Sequence, residues 1–414
     1  MRHTKWFLLT SSLLMILPLA SYWYAARANP SHTSSATITP DFPPVPEAMQ
    51  VDITALDNEN YTWDLPPGFP PPKVYGYNPM TEAKVELGRF LFYDTRVSGN
   101  GAASCSSCHI QALAFSDGRV NGIGATGEST PHNSMHLANA VYNGTFTWAN
   151  PVLVTLEKQI VIPMFGEFPI ELGMTGSEEE ILERFRSDPF YADFFAHAYP
   201  EDTEPVSLDN TVQALASFVR SLISGNSPYD RFVYQGERDA LSASAKLGMN
   251  LFFSERLECH HCHGTFNFTQ SLNHDNLAFA ERPFHNTGLY NVGGAGAYPH
   301  PNTGLFAHTG EPSDMGKFRA PSLRNVSYTA PYFHDGSART LDDVIDIYAA
   351  GGRVITEGEN AGDGRANPHK DAFVQGFTLT AEERQGLLDF LHSISDETFI
   401  TDPRYSNPFT LPVD

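Results

Sequence analysis

The chain has 414 residues, of which 41% are hydrophobic and 18% charged, enough for a sizeable core and for two or three domains at roughly 100–200 residues each. Lys+Arg number 26 against 48 Asp+Glu, a formal net charge of -22, and so acidic a surface repels phosphate backbones and argues against nucleic acid as a partner. Four cysteines are too sparse for a disulfide scaffold, while 32 glycines and 30 prolines predict much irregular chain between helices.

Residues 1–28 read as a secretory signal peptide. Arg2 and Lys5 precede an apolar stretch that begins at Trp6, and Ala26-Arg27-Ala28 has the small-x-small cleavage pattern. An uncleaved membrane anchor is the competing reading, weakened by Thr10, Ser11, Ser12 and Pro18 within the stretch. Both readings place the folded part outside the cytoplasm, here the periplasm. Residues 29–80 carry PDFPPVPEAM and DLPPGFPPPK and read as a Pro-rich arm or linker.

Two later segments repeat each other: LGRFLFYDTRVSGNGAASCSSCH, from Leu87, and LGMNLFFSERLECHHCH, from Leu247. Each has Leu-Gly-x-x-Leu-Phe-aromatic, a turn, then Cys-x-x-Cys-His. A repeat at this distance implies duplicated domains rather than a short-period solenoid, with a seam near SGNSPYDRF (224–232). The chain therefore divides into 81–232, 233–400 and a tail at 401–414. Between the repeats, Ser177 and Glu180 predict a capping box before ILERF, and LDNTVQALASFVRSLISG predicts a helix stopping at Gly225. Thr340 with Asp343 and Thr380 with Glu383 open two more helices. No sustained period-2 alternation is present, so the fold class is mainly α.

All four cysteines fall in two Cys-x-x-Cys-His units, Cys105-Ser-Ser-Cys108-His109 and Cys259-His-His-Cys262-His263. This is the attachment chemistry of c-type haem: two thioethers to the vinyl groups and a following histidine as proximal iron ligand. Two disulfides, or one zinc held by four thiolates, are the alternatives, but neither needs a histidine after each pair. The fold expected is two cytochrome c-like domains, each with one covalently attached haem.

An iron with two strong axial ligands carries electrons, whereas an open one can meet peroxide. No methionine follows Met315, so the last 99 residues offer no sulfur ligand to the second haem. Tyr348 ends the apolar face Val344, Ile345, Ile347 before Gly351-Gly352. On periodicity it is a core tyrosine; as a ligand it would lower the reduction potential.

With LGRFLFYDTRVSGNGAASCSSCH, ALASFVRSLISGNSPYDRF and FRAPSLRNVSYTAPYFHDGSARTLDDVIDIY, the chain closely resembles the di-haem cytochrome c peroxidase/MauG superfamily over about residues 78–400. The resemblance implies that Thr329-Ala330-Pro331 precedes the distal ligand of the second haem, which then falls on Tyr348. Ordinary peroxidases of the group carry methionine there; MauG and the MbnH-type enzymes carry tyrosine. The resemblance also implies a calcium ion held by the Asn133 side chain and the carbonyls of Thr329 and Pro331. It places Trp148 between the haems, although Trp-Asp-Gly-Arg reads Trp-Ala-Asn-Pro here. At the peroxide-reactive first haem it points to Gln159, Pro163 and then Glu171, two residues later than usual, with Glu167 as competitor for the catalytic carboxylate. The loop GRVNGIGATGEST lacks the histidine of peroxidases that need reductive activation.

TFTWANP and IPMFGEFPIELGM look most like the MbnH-type di-haem enzymes. That likeness implies hydrogen peroxide as oxidant, a charge-shared high-valent di-haem state, and long-range oxidation of a residue, expected to be Trp, on a small periplasmic copper-binding protein. The alternative is an ordinary di-haem cytochrome c peroxidase drawing electrons from a small cytochrome donor.

Overall fold

The computed structural model describes residues 42–410; the signal-peptide reading of residues 1–28 lies outside them. Twelve α-helices occur among the described residues. The first half carries α1 (Glu82–Tyr93), α2 (Leu156–Phe165), α3 (Glu178–Arg186), α4 (Pro189–Ala198), α5 (Leu208–Ser221) and α6 (Pro228–Tyr234). The second carries α7 (Ala243–Phe252), α8 (His260–His263), α9 (Phe306–Thr309), α10 (Leu341–Ala350), α11 (Ala381–Ser393) and α12 (Glu397–Thr401). Among the described residues, sheet is limited to β1 (Val354–Ile355) paired antiparallel with β2 (Gly362–Asp363).

The Leu-Gly repeat has a packing cause. In the first half α1 packs on α5, and in the second α7 packs on α11. Gly88 lies where α1 crosses Ala214 of α5, and a Cβ there would enter the Ala214 carbonyl. Gly248 meets Gly386 of α11 in the same way. Only a residue without a side chain permits so close a crossing.

The two crossings hold matching aromatic triads. Phe92, Phe115 and Phe218 meet edge-on, with ring centroids 5.1–6.5 Å apart. Phe252, Phe268 and Phe390 repeat this at 5.1–6.2 Å. All six are buried, and burying each phenylalanine stabilises the fold by roughly 1.5–3 kcal/mol. One apolar cluster runs from Ala83 to Leu222 and a second from Tyr229 to Ile394. The chain then returns to the first: Phe399 and Tyr405 join that cluster, and the Tyr405 hydroxyl donates to the Ser221 carbonyl at 3.0 Å. The described part of the 401–414 segment is thus fastened to the N-terminal half.

Residues 42–80 contain only two short 3-10 turns before α1. They are held by specific contacts: the Val45 amide donates to Asp188 and the Tyr142 hydroxyl to the Pro70 carbonyl. Near the seam, Arg324 forms a two-pronged pair with Asp230 at 2.8 and 2.9 Å, both side chains buried, with its guanidinium over Phe69 and Phe268.

Five helix boundaries test the local reading. The Thr340–Asp343 and Thr380–Glu383 capping boxes form, and Gly351 ends α10 at φ 75°. The Ser177–Glu180 box does not form: Glu180 turns to Arg184 at 2.8 Å. α5 ends at Ser221 rather than Gly225, because Asn139 takes the next backbone groups: its amide donates to Leu222, and its side chain pairs with both backbone groups of Ser224.

Candidate active site

The first Cys-x-x-Cys-His unit begins as a 3-10 turn, Cys105–Ser107, with the Ser104 amide bonded to the Ser107 hydroxyl. The second is the short helix α8. In both, the histidine is oriented in the same way. His109 Nδ1 lies 2.8 Å from the Phe115 carbonyl, and His263 Nδ1 lies 2.9 Å from that of Phe268. A carbonyl only accepts, so Nδ1 carries the proton and Nε2 keeps its lone pair for a metal. Phe115 and Phe268 both have positive φ, 62° and 50°, a strained conformation for a bulky residue that the two aromatic triads hold in place. Burial lowers both histidines, His263 to about 4, so each ring stays neutral at physiological pH.

No disulfide links the four cysteines, and among the described residues they join no grouping of three or more His, Cys, Asp or Glu donors.

Cys259, Cys262 and His263 line one large, mostly apolar cavity together with Tyr348. Leu341, Val344, Ile345 and Tyr348 of α10 all face it, so the stripe that reads as core in the sequence is a cavity wall. Burial, then the neighbouring Cys262 and Cys259 sulfurs, raise the Tyr348 phenol. Such a phenol ionises only against a strong local cation, which a ferric iron would be. Met315 does not line this cavity; Met135 does, but its sulfur accepts from Arg319 at 3.2 Å.

Asn133, Thr329, Pro331 and Trp148 line the same cavity. The Asn133 side-chain amide donates to the Arg119 carbonyl at 2.6 Å, leaving Asn133 Oδ1 as an oxygen donor for a hard cation. Trp148 Nε1 donates to the Asn133 carbonyl at 2.8 Å.

On the first-haem side, Thr155 caps α2, which carries Gln159 and Pro163. Gln159 Oε1 is buried and makes no hydrogen bond within the protein, so it is available to accept one. The chain after α2 folds back on it through Leu172 N to Pro163 O and Met174 N to Met164 O, both 2.9 Å. The Glu171 carbonyl accepts from Ala125 at 2.7 Å. Glu171 is partly buried, burial raises its carboxyl, and its charge reaches both Cys105 and Cys108. Glu167 is exposed beside Phe168, itself 95% exposed.

The cavity also gathers residues that local sequence patterns do not mark. His285 pairs its Nδ1 with Asp371 at 2.6 Å, and its Nε2 is buried without a partner. His334 stacks on Phe318 at 3.7 Å beside Trp148, also with an unpartnered Nε2. Arg319 is buried with no carboxylate bound; burial lowers its guanidinium to about 10. Its position in FRAPSLRN was the one available signal.

Residues 82–239 match the family described as di-haem cytochrome c peroxidase. Methylamine utilization protein MauG of Methylorubrum extorquens is 31% identical over 367 residues, 88% of this chain and 90% of that protein. The chain belongs to the di-haem cytochrome c peroxidase/MauG family. It is an oxidoreductase, and membership implies two c-type haems, which the two paired-cysteine units, the oriented histidines and the cavity fit. Cytochrome c551 peroxidase of Pseudomonas aeruginosa is 32% identical over 269 residues, 65% of this chain and 72% of that protein, so both branches of the family are represented. Among solved structures, a MauG-like protein associated with microbial copper homeostasis is 51% identical, with a TM-score of 0.83 over 85% of this chain and all of that one. No described helix is long and apolar enough to cross a membrane.

Proposed function

We propose that this protein is a MauG-like oxidase that uses hydrogen peroxide to oxidise a residue of a partner protein, through one haem in 81–232 and one in 233–400. The observation that carries this is Tyr348, a half-buried phenol lining the cavity that Cys259, Cys262 and His263 also line. When bound, the two haems supply peroxide reduction and storage of its two oxidising equivalents.

The chain's residues divide the remaining work. Cys105, Cys108, Cys259 and Cys262 tether the porphyrins, and His109 and His263 present Nε2 to the irons. Tyr348 would offer its phenolic oxygen to the second haem, which would lower that haem's reduction potential. In the N-terminal half the Glu171 carboxyl would accept a proton from peroxide and return it as the O–O bond breaks. Gln159 Oε1 accepts a hydrogen bond from peroxide or its water, and Pro163 sets the end of α2 so that Glu171 returns beside it. Trp148 would carry electrons between the two sites, and Asn133, Thr329 and Pro331 would hold calcium.

The partner class is a small copper-binding protein of the periplasm, with Trp the expected target; the 51% identity to a protein associated with copper homeostasis supports this. Incubation of the holoprotein with peroxide and such a partner, read by intact mass, tests it. Addition of oxygen to the partner that depends on peroxide and on Tyr348 is expected. Rapid peroxide turnover with a reduced small cytochrome and no change in partner mass would instead select the ordinary peroxidase, the reading that the Pseudomonas relative favours.

A further inference from the structure

The second Cys-x-x-Cys-His unit differs from the first in what fills it: His260 and His261 stand between the cysteines where the first has two serines. Haem attachment leaves these two positions free, so their chemistry is unused by the reading above.

Both rings turn toward one carboxylate. His260 Nε2 lies 3.4 Å from Glu255 Oε1, and His261 Nε2 lies 3.4 Å from Glu255 Oε2. The three donor atoms lie within 4.8 Å of one another, the single such grouping of three or more His, Cys, Asp or Glu among the described residues. An ion with tetrahedral bonds of about 2.0–2.1 Å holds its donors about 3.4 Å apart. The spacing matches ligands around a common centre; the His261 Nε2–Glu255 Oε2 contact is at the same time a long hydrogen bond, beyond the about 2.7–2.9 Å of a strong charge-assisted one.

A second carboxylate stands beside them. Glu258 Oε2 is 2.7 Å from His261 Nε2, yet it is buried and makes no hydrogen bond, so the ring N–H axis does not point at it. Glu258 reaches this position with φ 60°, unfavourable for a glutamate. The His261 ring is fixed from its other face by Phe373, stacked at 4.1 Å and 10°. Two imidazole nitrogens and the Glu255 carboxylate converge on one region, and a divalent cation satisfies all three. Imidazole with carboxylate suits Zn²⁺ and Cu²⁺ rather than Ca²⁺ or Mg²⁺.

We propose that His260, His261 and Glu255 form a surface site for one divalent transition-metal ion, built on the haem-attachment turn of the C-terminal half, with Glu258 beside it. The site is separate from both haem irons and from the oxygen-donor site at Asn133. Because Glu258 also lines the haem cavity, the ion would sit against its wall.

The test uses the holoprotein, stripped with a chelator, returned to calcium and then dialysed against Zn²⁺. One equivalent of zinc per chain beyond the haem iron is expected, with binding weakened about tenfold or more in Glu255→Gln and in the double variant His260→Gln/His261→Gln. Glu255 is 80% exposed and outside the attachment motif, so its variant keeps the test meaningful if the histidine variant fails to mature. Loaded with Cu²⁺ instead, the wild-type protein should show hyperfine coupling to two nitrogens that the double variant lacks. Failure to retain zinc, equal retention by Glu255→Gln, or a copper signal without nitrogen coupling would each overturn the site and show that the cluster is a set of ion pairs.

Discussion

Trp148 donates its indole N–H to the main-chain carbonyl of Asn133 at 2.8 Å. The Asn133 amide in turn donates to the His334 carbonyl at 2.9 Å, and the His334 ring lies edge-on to Trp148 at 6.4 Å. One residue therefore positions the indole with its backbone and leaves its side-chain oxygen for the proposed calcium. Asn133→Ala removes the side-chain oxygen and keeps the carbonyl. Metal analysis should show calcium lost with both haems retained, whereas undiminished calcium would place the ion elsewhere.

Trp148→Phe keeps an aromatic ring and loses the hydrogen bond and the easily oxidised indole. Haem attachment should be unaffected, while peroxide-dependent oxidation of the partner should slow by about tenfold or more. Stopped-flow absorbance separates this from a slower reaction with peroxide itself, which should be unchanged.

Glu171 and Glu167 should part company. Glu171→Gln should slow the reaction with peroxide by roughly 10²–10⁴-fold, the usual worth of a positioned acid–base group, and Glu167→Gln should leave it as it is. Burial raises Glu171, so it keeps its proton to higher pH than a free glutamate. The rate should climb as pH rises through that raised pKa and level off above it, and the Gln variant should lack the step. Stability runs the other way: the folded state binds this proton more tightly, so the Glu171 contribution is present at low pH and lost as pH rises through the folded pKa.

The paired glycines and phenylalanines give stability predictions. Gly248→Ala drives a methyl into the Gly386 backbone, and Gly88→Ala does so at Ala214. Each should cost about 1–3 kcal/mol by the overpacking route. Phe268→Ala should cost about 3–5 kcal/mol and loosen the carbonyl that orients His263. Thermal unfolding of the holoprotein measures all three.

Local pattern carried much of this in the sequence. The haem units are short, and Thr340–Asp343 and Thr380–Glu383 are self-contained, so spacing alone specifies them. The Leu-Gly repeat is visible, but its reason is not, because Ala214 and Gly386 lie more than a hundred residues from the glycines they meet. The end of α5 is misplaced for the same cause: Asn139 acts from across the fold. Ser177–Glu180 looks like a cap until Arg184 competes for the carboxylate. His285, His334 and Arg319 enter the cavity singly from distant segments, and an isolated histidine or arginine has no period to betray it.

The central claim is that a phenol, not a sulfur, completes the second haem. The EPR spectrum of the resting ferric holoprotein, compared with that of Tyr348→Phe, tests it most directly. We predict one high-spin and one low-spin haem in the wild-type protein, with the low-spin signal lost or converted in the variant. A low-spin signal unchanged by Tyr348→Phe would contradict the account.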